Sequence, residues 1–253
     1  MGKEKFLQFL LIVLIISMSC SPGLARGWVS SIAYSMVNPV ESALYQEYEE
    51  INEKLRQGEF GQEGVPIIDW ENFYPPRQRT LISFGMSRWI TSRLFLETTC
   101  GYSWSNWARE GIFTGQDALS QYPVEVELKE LRDTTNYEVG FLYLLTNHLL
   151  GGAGPKWVSV RGYRFLSMES SMLTQTQVTE YDGIGMGWYF TMGISLTTSS
   201  VGLHFFVRYD TVGVPIMGTT TLYVNGEESI SLYSSEANLE GWGVGLKLMV
   251  HAF

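Results

Sequence analysis

The stretch GIGMGWYFTMGISL, residues Gly183 to Leu196, alternates between two kinds of side chain along its whole length. A repeat of two residues is that of a β-strand and not of a helix. The first face of this strand is entirely apolar and consists of Ile184, Met186, Trp188, Phe190, Met192, Ile194 and Leu196. The second face is mostly small and consists of Gly185, Gly187, Tyr189, Thr191, Gly193 and Ser195.

Seven further segments also favour strands, which makes eight predicted strands in all. They are Trp28–Val37, Thr80–Ile90, Arg93–Trp107, Asn136–Leu145, Trp157–Ser170, Ser200–Thr211 and Gly241–Phe253. The predicted connections alternate between long and short, with long ones at about 38–79, 108–135, 171–182 and 212–239. Short ones fall at 91–92, 148–155 and 197–199. Long and short connections at opposite ends are typical of an outer-membrane barrel.

The small face indicates which side of each strand meets lipid. Glycine weakens a strand unless space is tight, and the interior of an eight-stranded barrel is tight. We therefore predict an all-β fold, an eight-stranded antiparallel up-and-down transmembrane barrel with its apolar faces outward. The competing fold is a soluble periplasmic barrel of the lipocalin type, whose apolar face points inward and binds a ligand.

The N-terminus has the pattern of an export signal. Lys3 and Lys5 precede an apolar run from Phe6 to Ile16, which is too short to span a bilayer. Small residues at Gly23 and Ala25 predict cleavage after Ala25, so we expect a signal peptide at 1–25 and a barrel domain at 26–253. A lipidated Cys20 is the alternative, although the residues before it resemble a lipobox poorly.

Composition narrows the classes of partner. The chain has 253 residues, enough for one barrel domain, and a formal net charge of −9. This charge argues against nucleic acid as a partner, because no basic surface is available to meet phosphates. Charged residues make up only 17% of the chain, below the roughly 25% of a typical soluble domain.

Aromatic residues are expected to mark the two membrane–water interfaces. The predicted strand directions place Trp28, Trp89 and Trp157 near the periplasmic ends. They place Trp104, Trp107, Trp242, Tyr137 and Tyr209 near the extracellular ends. An alternative is that aromatics are simply common in strands.

By its architecture the chain resembles the small eight-stranded outer-membrane proteins of the OmpA/OmpX/OmpW-like group. The resemblance rests on the export signal, the eight amphipathic strands, the alternating connections and the terminal Phe253. It implies a location in the bacterial outer membrane, contact with outer-membrane lipid and lipopolysaccharide, and recognition by the barrel insertion machinery. It carries over no site residue. Phe253 departs from the pattern, because the alternation from Trp242 to Val250 leaves it out of phase.

Ionisable residues on the small faces predict a lumen filled by charge. Glu97, Glu138, His204, Arg208, Asp210 and Lys247 all lie there. Counted from the periplasmic ends, they predict a lower cluster of Glu97, Arg161, His204 and Lys247 and an upper cluster of Glu138, Arg208 and Asp210. Buried charges need partners, so such clusters would close the lumen. The alternative is a gate or a polar path.

The segment VSVRGYRFL places Arg161 and Arg164 on opposite faces of a regular strand. A lipid-facing arginine at the membrane midplane costs about 2–4 kcal/mol. We therefore predict a bulge at Gly162 that turns both arginines inward.

The first long connection contains a predicted amphipathic helix at about 41–56. Leu44, Tyr48, Ile51 and Leu55 recur at helical spacing, and the opposite face carries Glu47, Glu49, Glu50 and Glu53. This region is either a solvated lid over the barrel or, across 41–78, a surface for an extracellular partner, for cations or for lipopolysaccharide held through divalent ions.

The sequence contains no glycine-rich phosphate loop, no clustered Cys and His ligands and no nucleophile elbow. It therefore predicts no cofactor, no metal and no catalytic residue. The function predicted is a structural or surface-interaction role through the long connections, without enzymatic activity. The alternatives are a small porin-like channel for small or apolar solutes and, from another class, a membrane lipid-modifying enzyme.

Overall fold

The computed structural model describes residues 27–39, 42–58, 66–74, 79–116, 121–170, 174–197 and 201–251. The predictions on the signal peptide, its cleavage at Ala25, Cys20 and Phe253 lie outside these residues. The described elements are β1 (Trp28–Pro39), α1 (Ser42–Gln57), β2 (Arg79–Trp89), β3 (Leu94–Gln116), β4 (Gln121–Leu144), β5 (Leu149–Glu169), β6 (Thr174–Thr197), β7 (Val201–Val224), β8 (Glu227–Asn238) and β9 (Gly241–His251).

The strands close into an antiparallel ring. Strands β1 to β7 pair in chain order, β7 pairs with β9, and β9 pairs with β1. Strand β7 serves two partners, because Val201–Asp210 pairs with β9 and Gly213–Val224 pairs with β8. Strands β8 and β9 thus follow one another along the same side of β7 and share one position in the ring. The barrel therefore has the eight strand positions that the sequence predicts.

The barrel is much taller on one side than on the other. Strands β1, β2 and β9 have 11 or 12 residues, whereas β3 to β7 have 21 to 24. The long strands of β3 to β7, continued by β8, rise above the membrane as a six-stranded sheet, which we call the wall. The long connections predicted at 108–135, 171–182 and 212–239 are therefore mostly strand, and the predicted turn at 148–155 is largely the start of β5.

The polarity of the two sheet faces reverses between the lower barrel and the wall, and β4 shows this most clearly. In its lower part the outward residues are Tyr137, Val139, Phe141 and Tyr143, all exposed. In its upper part the inward residues are apolar instead, namely Val124, Val126 and Leu128, all buried. The outward residues there are Glu125, Glu127 and Lys129. The lower barrel is thus arranged for lipid outside, and the wall for water outside.

The outward face of β6 gives the height of the apolar band. Every outward residue from Ile184 to Leu196 is apolar and half or more exposed, and the next two upward are Asp182 and Glu180. Twelve residue steps at about 3.3 Å, tilted by about 40°, cover roughly 30 Å along the barrel axis, which matches a bilayer core. Within the described ranges, no helix is long and apolar enough to cross a membrane.

Candidate functional site

The end of the lumen farthest from the wall is closed by apolar side chains. Phe95, Leu142 and Leu150 form a buried cluster there, and Trp89 packs against it with its ring 3.8 Å from that of Phe95. Trp89 was predicted to lie at the lipid interface. It points inward instead, because it continues the alternation of the buried Ser87 on the same strand.

Above this cluster lies the first ion pair. The Lys247 ammonium is 2.7 and 2.8 Å from the two carboxylate oxygens of Glu97, and both residues are buried. His204 is the cross-strand partner of Lys247 and stands edge-on to the ring of Phe206. Neither ring nitrogen of His204 has a hydrogen-bond partner within the described residues. This group corresponds to the predicted lower cluster without Arg161.

The second layer of the lumen is a neutral group of four charges. Arg208 donates to Glu138 at 2.5 and 3.0 Å and to Asp210 at 2.7 and 2.8 Å. Lys156 donates to Asp210 at 3.0 Å and lies 3.7 Å from Glu138. The predicted upper cluster is brought together, and Lys156 completes it. Sequence reasoning missed Lys156 because this residue falls between the predicted turn at 148–155 and the predicted strand Trp157–Ser170.

Little space remains at these two levels. Two cavities that reach this part of the lumen measure about 20 and 40 Å³. A single water needs roughly 10–15 Å³ of such volume, so each of these cavities has room for one to a few waters. The charged layers therefore occupy most of the lumen around these cavities.

The two arginines of β5 require no bulge. Pairing is regular through Gly162, with Asp133 opposite Arg161 and Glu130 opposite Arg164. The predicted bulge is wrong, and so is the inward position of Arg161, which is exposed on the outer face. The two arginines can point to opposite faces of the strand because they lie at different levels. Arg161 lies outside, where the apolar band ends, and Arg164 lies inside the wall above it.

Arg164 belongs to a third charged group, which the sequence did not predict. Its centre is Glu130, whose side chain is fully buried. One carboxylate oxygen accepts from Arg132 at 2.8 and 3.1 Å and from the Tyr181 hydroxyl at 2.9 Å. The other accepts from Arg164 at 3.2 Å and from the Tyr48 hydroxyl. We call these five residues, with Glu47, the Glu130 cluster.

Glu47 joins helix α1 to the far side of the wall. It accepts from Arg164 at 3.0 Å, from the Tyr233 hydroxyl at 2.7 and 2.8 Å, and from the Ser235 hydroxyl. It was predicted on the solvated acidic face of the helix. It turns inward because the cationic Arg164 and two hydroxyls of the wall supply it with donors.

Burial alone would raise the pKa of Glu130. The neighbouring Arg132 and Arg164 outweigh that effect and hold its pKa below the ordinary glutamate value of 4.5. The carboxylate is thus ionised at neutral pH and can bind both arginines.

Helix α1 and residues 66–74 fill the inside of the wall, and we call these two segments together the cap. Tyr48 and Leu55 are fully buried against Val124, Val126 and Leu128 of β4. Trp107, predicted at the lipid interface, lies inside this core with its ring 5.1 Å from that of Tyr48. It points inward because the inner face of the wall is apolar. The predicted helix is confirmed, although the side chain of Leu44 lies outside the described residues.

The two segments of the cap are held to each other and to β3. The buried Asn52 donates to the Phe73 carbonyl at 3.0 Å and accepts from the Trp70 indole at 2.8 Å. Asp69 accepts from the backbone and hydroxyl of Thr114 at 2.7 and 3.0 Å, which lowers its pKa. The upper edge of β3 is thereby covered.

A polar cleft of about 410 Å³ opens between the cap and strands β6 and β8. Glu50 and Lys54 line it from the helix, and Gln177, Thr179 and Tyr233 line it from the wall. Its volume falls within the range of small-molecule sites.

The remaining predicted interface aromatics lie on the outer surface. Trp104, Tyr137, Trp157 and Trp242 are well exposed, and the Tyr209 and Trp242 rings are 4.8 Å apart. Trp28 lies beneath Arg88 at the end of the barrel farthest from the wall. Trp157 differs from the prediction in height. Its cross-strand partner is Tyr137, well above the lower end of the strand, because β5 begins eight residues earlier, at Leu149.

Similarity to known proteins is found only among solved structures. No protein-family model matches the chain, and no curated protein matches it. It is similar to the solved structures of OprG from Pseudomonas aeruginosa (10% identity, TM-score 0.42, 89% of this chain and 97% of that one) and of a major outer membrane protein from Thermus thermophilus (10%, 0.40, 88% and 98%). It is also similar to Neisserial surface protein A (12%, 0.33, 88% and 96%).

The chain is an eight-stranded transmembrane β-barrel. Its ring is closed, its outward band is apolar and its interior is charged. Among the described residues, no group of three Cys, His, Asp or Glu is arranged to hold a metal ion.

Proposed function

We propose that this chain is a bacterial outer-membrane protein with a closed barrel, whose cap and wall form an interaction surface outside the cell. The observation that carries the proposal is the contrast in free volume along the barrel. The lumen within the membrane has cavities of about 20 and 40 Å³, whereas the cleft beside the cap has about 410 Å³. Binding at the outer end is thus favoured over passage.

The partner surface of the proposal is the region 41–78. In the described part of it, the outward face of α1 carries Glu49, Glu50 and Glu53, all exposed. A surface of this kind suits a cationic partner or divalent ions. Export by the signal at 1–25, insertion by the barrel insertion machinery and contact with lipopolysaccharide complete the proposal.

The proposed role is not enzymatic. A lipid-modifying enzyme needs a nucleophile or an activated base within reach of lipid. His204 is buried in the lumen beside Lys247 and opposite Ser195, and neither of its ring nitrogens is hydrogen-bonded to a serine or a carboxylate in the described part of the chain.

The proposal is tested by conductance and by topology. Purified protein inserted into planar bilayers should show no discrete conductance steps, and regular openings would contradict a closed barrel. On intact cells, a membrane-impermeant maleimide should label Glu53→Cys in the cap and leave Ser92→Cys in a periplasmic turn unlabelled. The reverse result would put the cap on the wrong side of the membrane.

A second candidate, passage of small apolar solutes through the barrel side, is favoured by two gaps in the hydrogen-bond ladders. Pairing stops at Val139 and Gly140 opposite Pro155, and at Ile184 and Gly185 opposite Pro215. Proline lacks the N–H that a ladder requires.

This candidate predicts that proteoliposomes take up an apolar dye and that Pro215→Val slows the uptake by completing the ladder. Pro123→Val, high in the wall, is the matched control. Equal uptake by empty liposomes would remove the candidate.

A further inference from the structure

The outer surface of the barrel has a cavity of about 560 Å³ where the apolar band ends. Its floor is the backbone of one cross-strand row, Gly162, Tyr181 and Gly218. The outward side chains around this row include Asp133 of β4, Arg161 of β5, Glu180 and Asp182 of β6, and Met217 of β7. The cavity faces away from the lumen and therefore belongs to none of the charged layers above.

Arg161 is the single cation among these lining residues. It lies between two carboxylates, because Asp133 and Asp182 are its cross-strand partners. Asp133 accepts from the Tyr102 hydroxyl at 2.7 Å on the side away from Arg161. Within the described residues, Arg161 takes part in no ion pair, although it is exposed beside both acids. Its donors are therefore available to a ligand.

The position of the cavity indicates what kind of ligand reaches it. Directly below it on β6, Ile184 begins the apolar band and is 71% exposed. Met217 on the cavity rim is 69% exposed. A molecule with its polar end in the cavity would lay its apolar part along this band. Membrane amphiphiles have that shape.

Resting on the outer-membrane location and the lipopolysaccharide contact proposed above, we propose that this cavity binds the phosphate-bearing headgroup of a membrane amphiphile. The phosphate would lie on Arg161, with an accompanying cation at Asp182 and Glu180. Arginine binds phosphate through two parallel N–H donors. The lining carries three carboxylates against one guanidinium, so a bare phosphate would be repelled. A headgroup that brings its own positive charge satisfies both sets of groups.

Two sources supply this chemistry, and they differ in the cation. In lipopolysaccharide the cation would be a divalent ion between the phosphate and the carboxylates. In phosphatidylethanolamine it would be the ammonium of the same molecule. A chelator separates the two, because it removes only the divalent ion.

The test uses delipidated full-length barrel in detergent micelles and native mass spectrometry. The probes are bisphosphorylated lipid A with Mg²⁺ and phosphatidylethanolamine with a chelator. Arg161→Gln should lower the affinity for whichever probe binds by about tenfold or more, because charge-assisted hydrogen bonds are lost. Asp182→Asn should weaken it as well, through the cation. The matched control is Arg88→Gln, an exposed outward arginine at the periplasmic end.

A loss in Arg161→Gln and not in Arg88→Gln supports the site, and the probe concerned identifies the source. Binding of both probes unchanged in Arg161→Gln overturns the proposal. An equal loss in Arg88→Gln overturns it too, since that would be a general charge effect. Heat-dependent gel migration of each variant verifies that the barrel is folded, and Arg161→Lys provides a second variant that keeps the charge.

Discussion

The hydroxyl of Tyr48 donates to the carboxylate of Glu130, although 82 residues separate them along the chain and neither side chain is exposed. The contact joins the helix of the cap to the inner face of the wall. Glu130 also binds Arg132 and Arg164, so one carboxylate holds two cations and the cap together.

Glu130→Gln should lower the free energy of unfolding by about 3–5 kcal/mol, because it leaves two arginines buried without their carboxylate. Unfolding in urea, followed by tryptophan fluorescence in lipid vesicles, measures the effect. Glu127→Gln on the same strand is the matched control. Its side chain faces outward beside Lys129, and its effect should stay within about 0.5 kcal/mol. Equal effects of the two variants would show that the Glu130 cluster adds nothing specific.

Acid should loosen the cap before it unfolds the barrel. The pKa of Glu130 in the folded protein lies below its ordinary value of 4.5. Its contribution to stability is therefore complete above pH 4.5 and is lost as the pH falls through the lower, folded pKa. The protection of the α1 amides, measured as the intrinsic exchange rate at each pH divided by the observed rate, should be high at neutral pH and should fall in this acidic range. A protection of α1 that stays constant down to about pH 3 would contradict the prediction.

Lys247→Met should destabilise the barrel by about 3–5 kcal/mol, because Glu97 is left buried without a cation to balance its charge. The double variant Glu97→Leu/Lys247→Met should recover most of this loss, since no charge remains unpaired. Urea unfolding of both single variants and the double variant completes the cycle. Additive losses would mean that the two groups do not interact in the folded barrel.

Gly162→Ala should cost about 1–3 kcal/mol through steric overlap. A Cβ at this position would overlap the ring of Tyr181, which would have to move away from Glu130. Gly213→Ala is the control, because its Cβ meets only the flexible end of Glu236. Thermal unfolding compares the two. A neutral Gly162→Ala would show that the Tyr181 ring has room to shift.

The strands of the lower barrel could be predicted because their apolar residues stay on the outward face along the whole strand. From Ile184 to Leu196 each apolar residue faces lipid, and the structure keeps that register. The helix could be predicted for a similar reason, since Tyr48 and Leu55 recur on one face and are buried together.

The wall was missed because its apolar residues face inward, whereas those of the lower barrel face outward. The segment around Glu130 changes from apolar inside, at Leu128, to apolar outside, at Tyr137. If a strand is expected to keep its apolar residues outward, this reversal wrongly indicates that the strand ends there. The same reversal explains the wrong bulge at Gly162, because Arg161 outside and Arg164 inside are both acceptable at the level where lipid gives way to water.

The Glu130 cluster could not be predicted for a different reason. Glu47, Glu130 and Tyr233 come from three distant parts of the chain, and each is of a type that is ordinarily solvated. Only their placement together makes them buried partners. Residue type and local spacing do not indicate which distant residues come into contact in the fold.

The closing seam of the ring joins β1 to β9, and Val29 pairs with His251 across it. These are the first and last strands of the described chain, so the ring cannot close until nearly every residue between them is in position. Pairing between such distant residues makes folding slow, because a long loop must be ordered before the contact is gained. Until the ring closes, the unpaired backbone groups at the edges of β1 and β9 can pair with strands of other chains. Ring closure therefore competes with aggregation during assembly of this barrel.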